Sequence, residues 1–390
     1  MRGNVRNGVR RRRIGAAAVV AGLLLGAGAG AVRSQEQAGP AAREGTVAAA
    51  IDSARASGST VYLPVLGSTP DTGFMFGAVA LRFFYPDHDA PDPRPSVFSP
   101  TFVYTARSQM LIYLGVDLVW DANRNELEFV PSYIDFPDSY FGIGRDADPD
   151  ADEVTYDGRS VAADLRFARA VRGDWRLGLD GRAVRQETGN FSPAGASSLG
   201  GLAGTGTSTL VKLGPSLALD SRDNTWSPRR GLWLHGVWRF AGKALGSDYA
   251  LDEVVVDLRG YRSLGPDLIL AGQTLLTRQT GAVPFWALPR LGGDEGLRGY
   301  RGALYRDRTC ALARAELRRD ALWGRLGGVV FAGVGDVAPD PSALTLAGRL
   351  WTVGGGLRFM IDTRERVNIR ADVGFGNGDA GFFLSLGEAF

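Results

Sequence analysis

Apolar and polar residues alternate with a period of two through most of the chain, and no other feature restricts its fold as strongly. In residues 366–376, Val367, Ile369, Ala371, Val373 and Phe375 fall on one face and Asn368, Arg370 and Asp372 on the other. A helical period would scatter these two sets, whereas a strand keeps them apart. Residues 381–390 repeat the pattern, with Phe382, Leu384, Leu386 and Phe390 set against Ser385, Gly387 and Ala389. So do Val254, Val256 and Leu258 against Asp257, Arg259 and Tyr261, and Val161, Ala163, Leu165 and Phe167 against Asp164 and Arg166. Two folds accept such strands. A soluble sandwich turns the charged faces to water; a membrane barrel turns the apolar faces to lipid and lines a wet interior with the charges.

Strand length and loop order separate the two. Segments such as 72–85, 156–171, 174–188, 207–222 and 251–262 are longer than the five or six residues usual in soluble strands, and match the roughly 9 to 11 or more that a tilted membrane strand needs. The chain divides into about 16 such segments, with 14 as the alternative, from a short first one at 60–66 to a last at 381–390. Connections after even-numbered segments are mostly tight: 121–124, 172–173, 265–266, 321–324 and 363–365. Several after odd-numbered ones are long: 136–155, 189–206, 281–308 and 338–349. Short turns on one side and long loops on the other are the order of an outer-membrane barrel, with both chain ends on the short-turn side. The expected fold is therefore all-β, a transmembrane antiparallel barrel over residues 59–390. Tyr113, Trp120, Trp175 and Trp233 near segment ends suit an aromatic girdle.

Residues 1–34 carry seven arginines and no acid, with an uncharged Ala/Gly/Leu/Val stretch from Ile14 to Val32. This reads as a signal peptide cleaved between Ala31 and Gln35, a membrane anchor being the alternative. Residues 35–58 then form a short periplasmic segment. The 44 basic residues less these seven leave 37 against 42 acidic, a net of −5. A body of that sign argues against nucleic-acid binding. One cysteine, Cys310, excludes an intramolecular disulfide and a thiolate cluster, and two histidines, His88 and His235, make a histidine metal site unexpected. No cofactor and no metal is expected. His235 shares a strand face with Trp233 and Arg239 without a recognisable serine or acid motif, so a structural role is expected and an enzyme is not. Asp146, Asp148, Asp150, Asp152 and Glu153 form an acidic tract on a long loop; a solvated loop is the plain reading, and calcium or bridged lipopolysaccharide the alternative.

Three motifs in the C-terminal half carry a resemblance. Gly292-Gly293-Asp294-Glu295-Gly296-Leu297-Arg298-Gly299-Tyr300 resembles the G-G-x-x-x-[VLI]-R-G-[FY] motif of the bacterial surface antigen family, the BamA/TamA-like outer-membrane barrels. Asp220, Arg222, Asp223 and Asn224, followed by Pro228 and Gly231, resemble that family's D-x-R-D-N…P-x-x-G turn. The ending with Phe382, Leu384, Leu386, Gly387 and Phe390 resembles its final strand and terminal aromatic. The resemblance implies that the loop of residues 281–308 folds back into the lumen and that Arg298 reaches an acid on the twelfth strand, here Glu316. In the family a second acid stands on the thirteenth strand in an F-x-D-x-G pattern. This chain reads Phe331-Ala332-Gly333-Val334-Gly335, so a weaker clamp is expected, with Asp336 on the opposite face. The plain alternative is that Arg298 caps a structural network without functional motion.

The resemblance further implies periplasmic POTRA domains, for which residues 35–59 are too few. The leading expectation is a relative of the membrane-protein insertion and translocation barrels. Its implied partners are outer-membrane lipid, lipopolysaccharide and a separate periplasmic or POTRA-bearing protein. A short first segment, pairing weakly with the last, would let the seam open. The competing expectation is a passive or structural pore.

Overall fold

In a computed structural model of the chain, residues 58–69, 73–87, 93–148, 153–191, 199, 201–302, 304–345, 350–377 and 379–390 are described. The expected leader, residues 35–57, His88, Asp150 and Asp152 lie outside them.

Sixteen strands follow one another. The first eight are β1 (Ser59–Thr69), β2 (Gly73–Phe84), β3 (Ser96–Thr105), β4 (Met110–Trp120), β5 (Asn125–Tyr140), β6 (Val154–Arg172), β7 (Trp175–Gly189) and β8 (Gly206–Asp220). The second eight are β9 (Gly231–Ala241), β10 (Leu251–Ser263), β11 (Leu268–Gly281), β12 (Thr309–Trp323), β13 (Leu326–Ala338), β14 (Leu350–Asp362), β15 (Val367–Gly376) and β16 (Asp379–Leu386). They form one antiparallel meander in sequence order, as expected, with β1 and β16 as its two edges. Among the described residues no ladder joins those edges.

The sheet curls into a barrel, because side chains on strands far apart in its order meet across one interior. Arg94, just before β3, pairs with Asp220 at the end of β8 at 2.7 Å. The Ser59 hydroxyl of β1 donates to Asp362 of β14 at 3.4 Å. Trp226, between β8 and β9, packs edge-on against Phe83 of β2 at 5.9 Å.

The sidedness is the reverse of a soluble protein's. Outward residues such as Phe98, Phe102, Leu177, Trp238, Val254, Leu258 and Leu384 are apolar and exposed. Glu253, Asp257, Gln273, Arg314, Glu316, Arg318, Arg358, Arg370 and Asp372 are buried on the inner face. Water penalises so large an exposed apolar surface, while hydrocarbon does not.

Two boundaries differ from expectation. The first strand is not short: all eleven residues of β1 pair with β2, from Ser59 opposite Phe83 to Thr69 opposite Gly73. β5 runs on to Tyr140, because residues 136–140 pair with 154–158 of β6, which shortens that loop to 141–153. The girdle expectation fails at Trp233. It is buried inside, stacked on His235 at 5.8 Å, with the Arg222 guanidinium 4.7 Å from its ring centre. Strand parity explains this, since Trp233 shares the face of His235 and Arg239.

Candidate functional site

The long connection between β11 and β12, residues 282–308, folds inward as expected. Its apolar residues drive the fold-back: Leu291, Leu297, Tyr300 and Leu304 are buried with Phe141, Cys310, Leu312, Val337 and Leu350. Its polar residues tie it to β5. Arg290 pairs with Asp138 at 2.7 Å, and Arg306 donates to the Ser139 carbonyl at 2.7 Å. Burial opposes the charge on both arginines. Asp138 outweighs it at Arg290 and raises that pKa, whereas Arg306, facing the like charge of Arg290, has its pKa lowered. Gly292 and Gly293 open the motif, and the Gly293 amide donates to the Tyr300 carbonyl at 3.0 Å. The Tyr300 hydroxyl donates to the Trp351 carbonyl on β14 at 2.9 Å.

Arg298 lies at the centre, only 1% exposed. One guanidinium nitrogen pairs with Glu316 of β12 and the other with Asp372 of β15 at 2.5 Å. The guanidinium carbon sits 3.6 Å from the ring centre of Phe331 on β13. The Arg298 carbonyl accepts from the hydroxyl of Thr352 on β14. One residue of the loop thus engages four successive strands. The backbone lies flat on β15, where a Cβ at Gly374 would come 2.1 Å from the Arg298 carbonyl oxygen.

The register explains why these partners converge. Glu316 stands opposite Phe331, and Phe331 opposite Gly354. Gly354 stands opposite Gly374, two residues from Asp372 on the same face. Arginine suits this junction, since its planar fork serves two carboxylates at once. With both acids fully buried the bonds are strong, and loss of one partner would strand a charge.

The expectation of a weaker clamp is corrected. The second acid is present, but it is Asp372 on β15 rather than a residue at position 333. Gly333 leaves room for the loop itself: a Cβ there would lie 3.0 Å from Leu297 Cδ2. Asp336 serves the outer loops, paired with Arg145 at 3.1 Å. Sequence reasoning placed Asp372 on the polar face without pairing it to Arg298. It also missed Asp294 of the motif, which pairs with Arg370 of β15 at 2.6 Å.

The second motif lies at the opposite end of the barrel. Asp220 accepts from Arg222 Nε at 2.8 Å as well as from Arg94. Burial opposes the Arg222 charge, and the bond to Asp220 more than offsets it, raising the pKa. Asp223 accepts from the amides of Arg229 and Arg230 at 2.9 and 3.1 Å, and Asn224 from those of Trp226 and Ser227 at 2.9 and 2.7 Å. These bonds brace the turn that carries Pro228 and leads into Gly231, the first residue of β9. The motif is a wall brace, and the structure does not bring it to Arg298.

The third motif is only partly a strand. Phe382 and Leu384 face outward on β16, but the strand ends at Leu386. Gly387 adopts φ +74°, a left-handed conformation that turns the chain into the interior. Phe390, expected on the outer face, is buried beside Tyr261, their ring centres 6.4 Å apart.

Of the weaker candidates, His235 Nε2 lies 3.4 Å from Asp180. Glu153 pairs with Arg301 of the inward loop at 3.2 Å. Among the described residues no group of three or more His, Cys, Asp or Glu is placed to hold a metal ion.

The family model for the Omp85 superfamily domain matches residues 100–390. BamA from Haemophilus ducreyi, in a structure lacking POTRA domains 1–3, is similar with a TM-score of 0.53 at 14% identity, over 85% of this chain and 69% of that one. CdiB from Acinetobacter baumannii gives 0.50 at 14%, over 84% and 59%. CdiB from Escherichia coli gives 0.53 at 13%, over 84% and 61%. The chain thus spans about six-tenths of the length of the two CdiB structures. At these identities the likeness is one of fold. No curated protein sequence matches the chain.

Proposed function

Because the chain belongs to the Omp85 superfamily, we propose that it is an outer-membrane barrel of Gram-negative type that inserts other proteins into that membrane or passes them through it. The reading assigns it no catalysis, a leader removed during export, and contacts with lipid and lipopolysaccharide. A separate POTRA-bearing periplasmic protein would deliver its cargo.

One observation supports this reading above the others. The inward loop and the residues after β16 fill the second half of the interior, while the edges of β1 and β16 carry no ladder to each other among the described residues. Free strand edges are templates for another strand. A barrel whose lumen is filled on one side and whose two edge strands carry no ladder to each other among the described residues is suited to handing strands sideways.

The test joins depletion to a seam lock. Cysteines at Tyr62 on β1 and Leu384 on β16, both outward-facing, would be bridged in the membrane. The expected result is that depletion lowers the level of one or more outer-membrane or exported proteins, and that the bridged form fails to restore it. Unchanged protein levels, together with a steady ion current from the purified barrel in planar bilayers, would establish a passive pore instead.

A further inference from the structure

The residues after β16 enter the same charged cluster that holds Arg298. Beyond the Gly387 bend, the Glu388 side chain is 4% exposed and accepts from Arg358 Nε of β14 and from Asn368 Nδ2 of β15, both at 2.8 Å. The Arg318 guanidinium of β12 lies 3.6 Å from the same carboxylate and donates to the Phe390 carbonyl at 3.0 Å. The Phe390 ring lies under Arg314 and Arg318, whose guanidinium carbons are 4.6 and 5.0 Å from its centre.

These contacts close a ring of alternating charge. Arg298 pairs with Glu316, and Glu316 with Arg318 at 2.7 Å. Arg318 faces Glu388, and Glu388 pairs with Arg358 at 2.8 Å. Arg358 pairs with Asp372 at 2.6 Å, and Asp372 returns to Arg298. Outside the ring, Arg314 donates to the Gly296 carbonyl of the loop at 3.0 Å and to the Ala389 carbonyl of the tail at 2.8 Å.

We infer that the inward loop and the tail 387–390 are a single coupled latch, closed through Glu388, so that release of either loosens the other. With Arg370 and Asp294 included, four arginines face four acids; Glu316 and Glu388 each serve two cations, and Asp372 serves three, Arg370 lying 3.3 Å from it. Removing Glu388 takes one negative charge out of this buried cluster. Arg318 and Arg358 then draw more strongly on Glu316 and Asp372, the two acids that hold Arg298. Removing Arg298 takes out one positive charge and pulls Arg318 and Arg358 away from Glu388. Coupling of this kind is reciprocal by thermodynamic necessity. It is a property of the barrel alone and holds whichever cargo the barrel serves.

Cys310 supplies a native reporter. It is buried beneath the loop, with its thiol 3.7 Å from the Arg290 carbonyl, far along β12 from Glu388. Maleimide labelling of the purified full chain in liposomes would be timed for wild type, Glu388→Gln, Arg298→Lys and the double variant, with heat-modifiable migration confirming folding. Glu388→Gln is expected to speed Cys310 labelling about fivefold or more, Glu388→Asp to restore protection, and the double variant to label no faster than the faster single one. Wild-type labelling in Glu388→Gln, or single effects that multiply independently in the double variant, would overturn the coupling. Neither outcome bears on cargo levels after depletion, so the proposed function stands or falls separately.

Discussion

Two halves of the interior use the same chemistry at different exposure. In the first half, Arg182 of β7 pairs with Asp164 of β6 at 2.9 Å, yet the two side chains are 42% and 38% exposed. Arg166 of β6 and Glu128 of β5 lie 3.6 Å apart with 26% and 46% exposure. In the second half, Arg298, Glu316, Asp372, Arg318 and Arg358 are all at most 4% exposed. The strands do not differ in kind. The loop and the tail fill the second half and expel its water, and the same pairs then change from screened surface contacts into obligatory ones.

The sharpest way to break that contrast is Arg298→Ala. It removes the shared cation of two buried acids and is expected to lower stability by about 3–5 kcal/mol, read as a lower midpoint for loss of heat-modifiable migration. Gly333→Asp is next. It restores the acid expected from the family pattern, but its side chain must displace Leu297, so it should destabilise by about 1–3 kcal/mol. A gain in denaturant midpoint would mean that the pocket has room for both. Gly387→Ala forces a side chain into the left-handed bend and should cost about 1–2 kcal/mol, with Phe390 more accessible to protease. Arg182→Ala, in the wet half, should cost under about 1 kcal/mol. That small loss should vanish in high salt, while the loss from Arg298→Ala should persist.

Much of the fold is legible in the sequence. The alternation in 366–376 and its counterparts marks strands because a pleated chain sends successive side chains to opposite faces. The order of tight and long connections then yields sixteen strands with the long loops on one side. Arg298 and Glu316 were legible through the resemblance, because both lie within recognisable runs. Asp372 was not. Its pairing with Arg298 depends on how β12 to β15 are staggered and curled, and no local signal states that. The inward turn at Gly387 was equally hidden, since Phe390 falls in phase with Phe382, Leu384 and Leu386.

By itself the sequence determined the strands, their two faces and the side on which the long loops emerge, which follow from backbone geometry and from local preference for lipid or water; the arginine that anchors one loop is marked only by the resemblance of its motif. Only the tertiary structure decided which acids meet Arg298, that Leu297 occupies the space left by Gly333, and that Glu388 joins the cluster. Those choices depend on distances across the barrel, which are set when the sheet curls and the loop and tail displace water from one half of its interior.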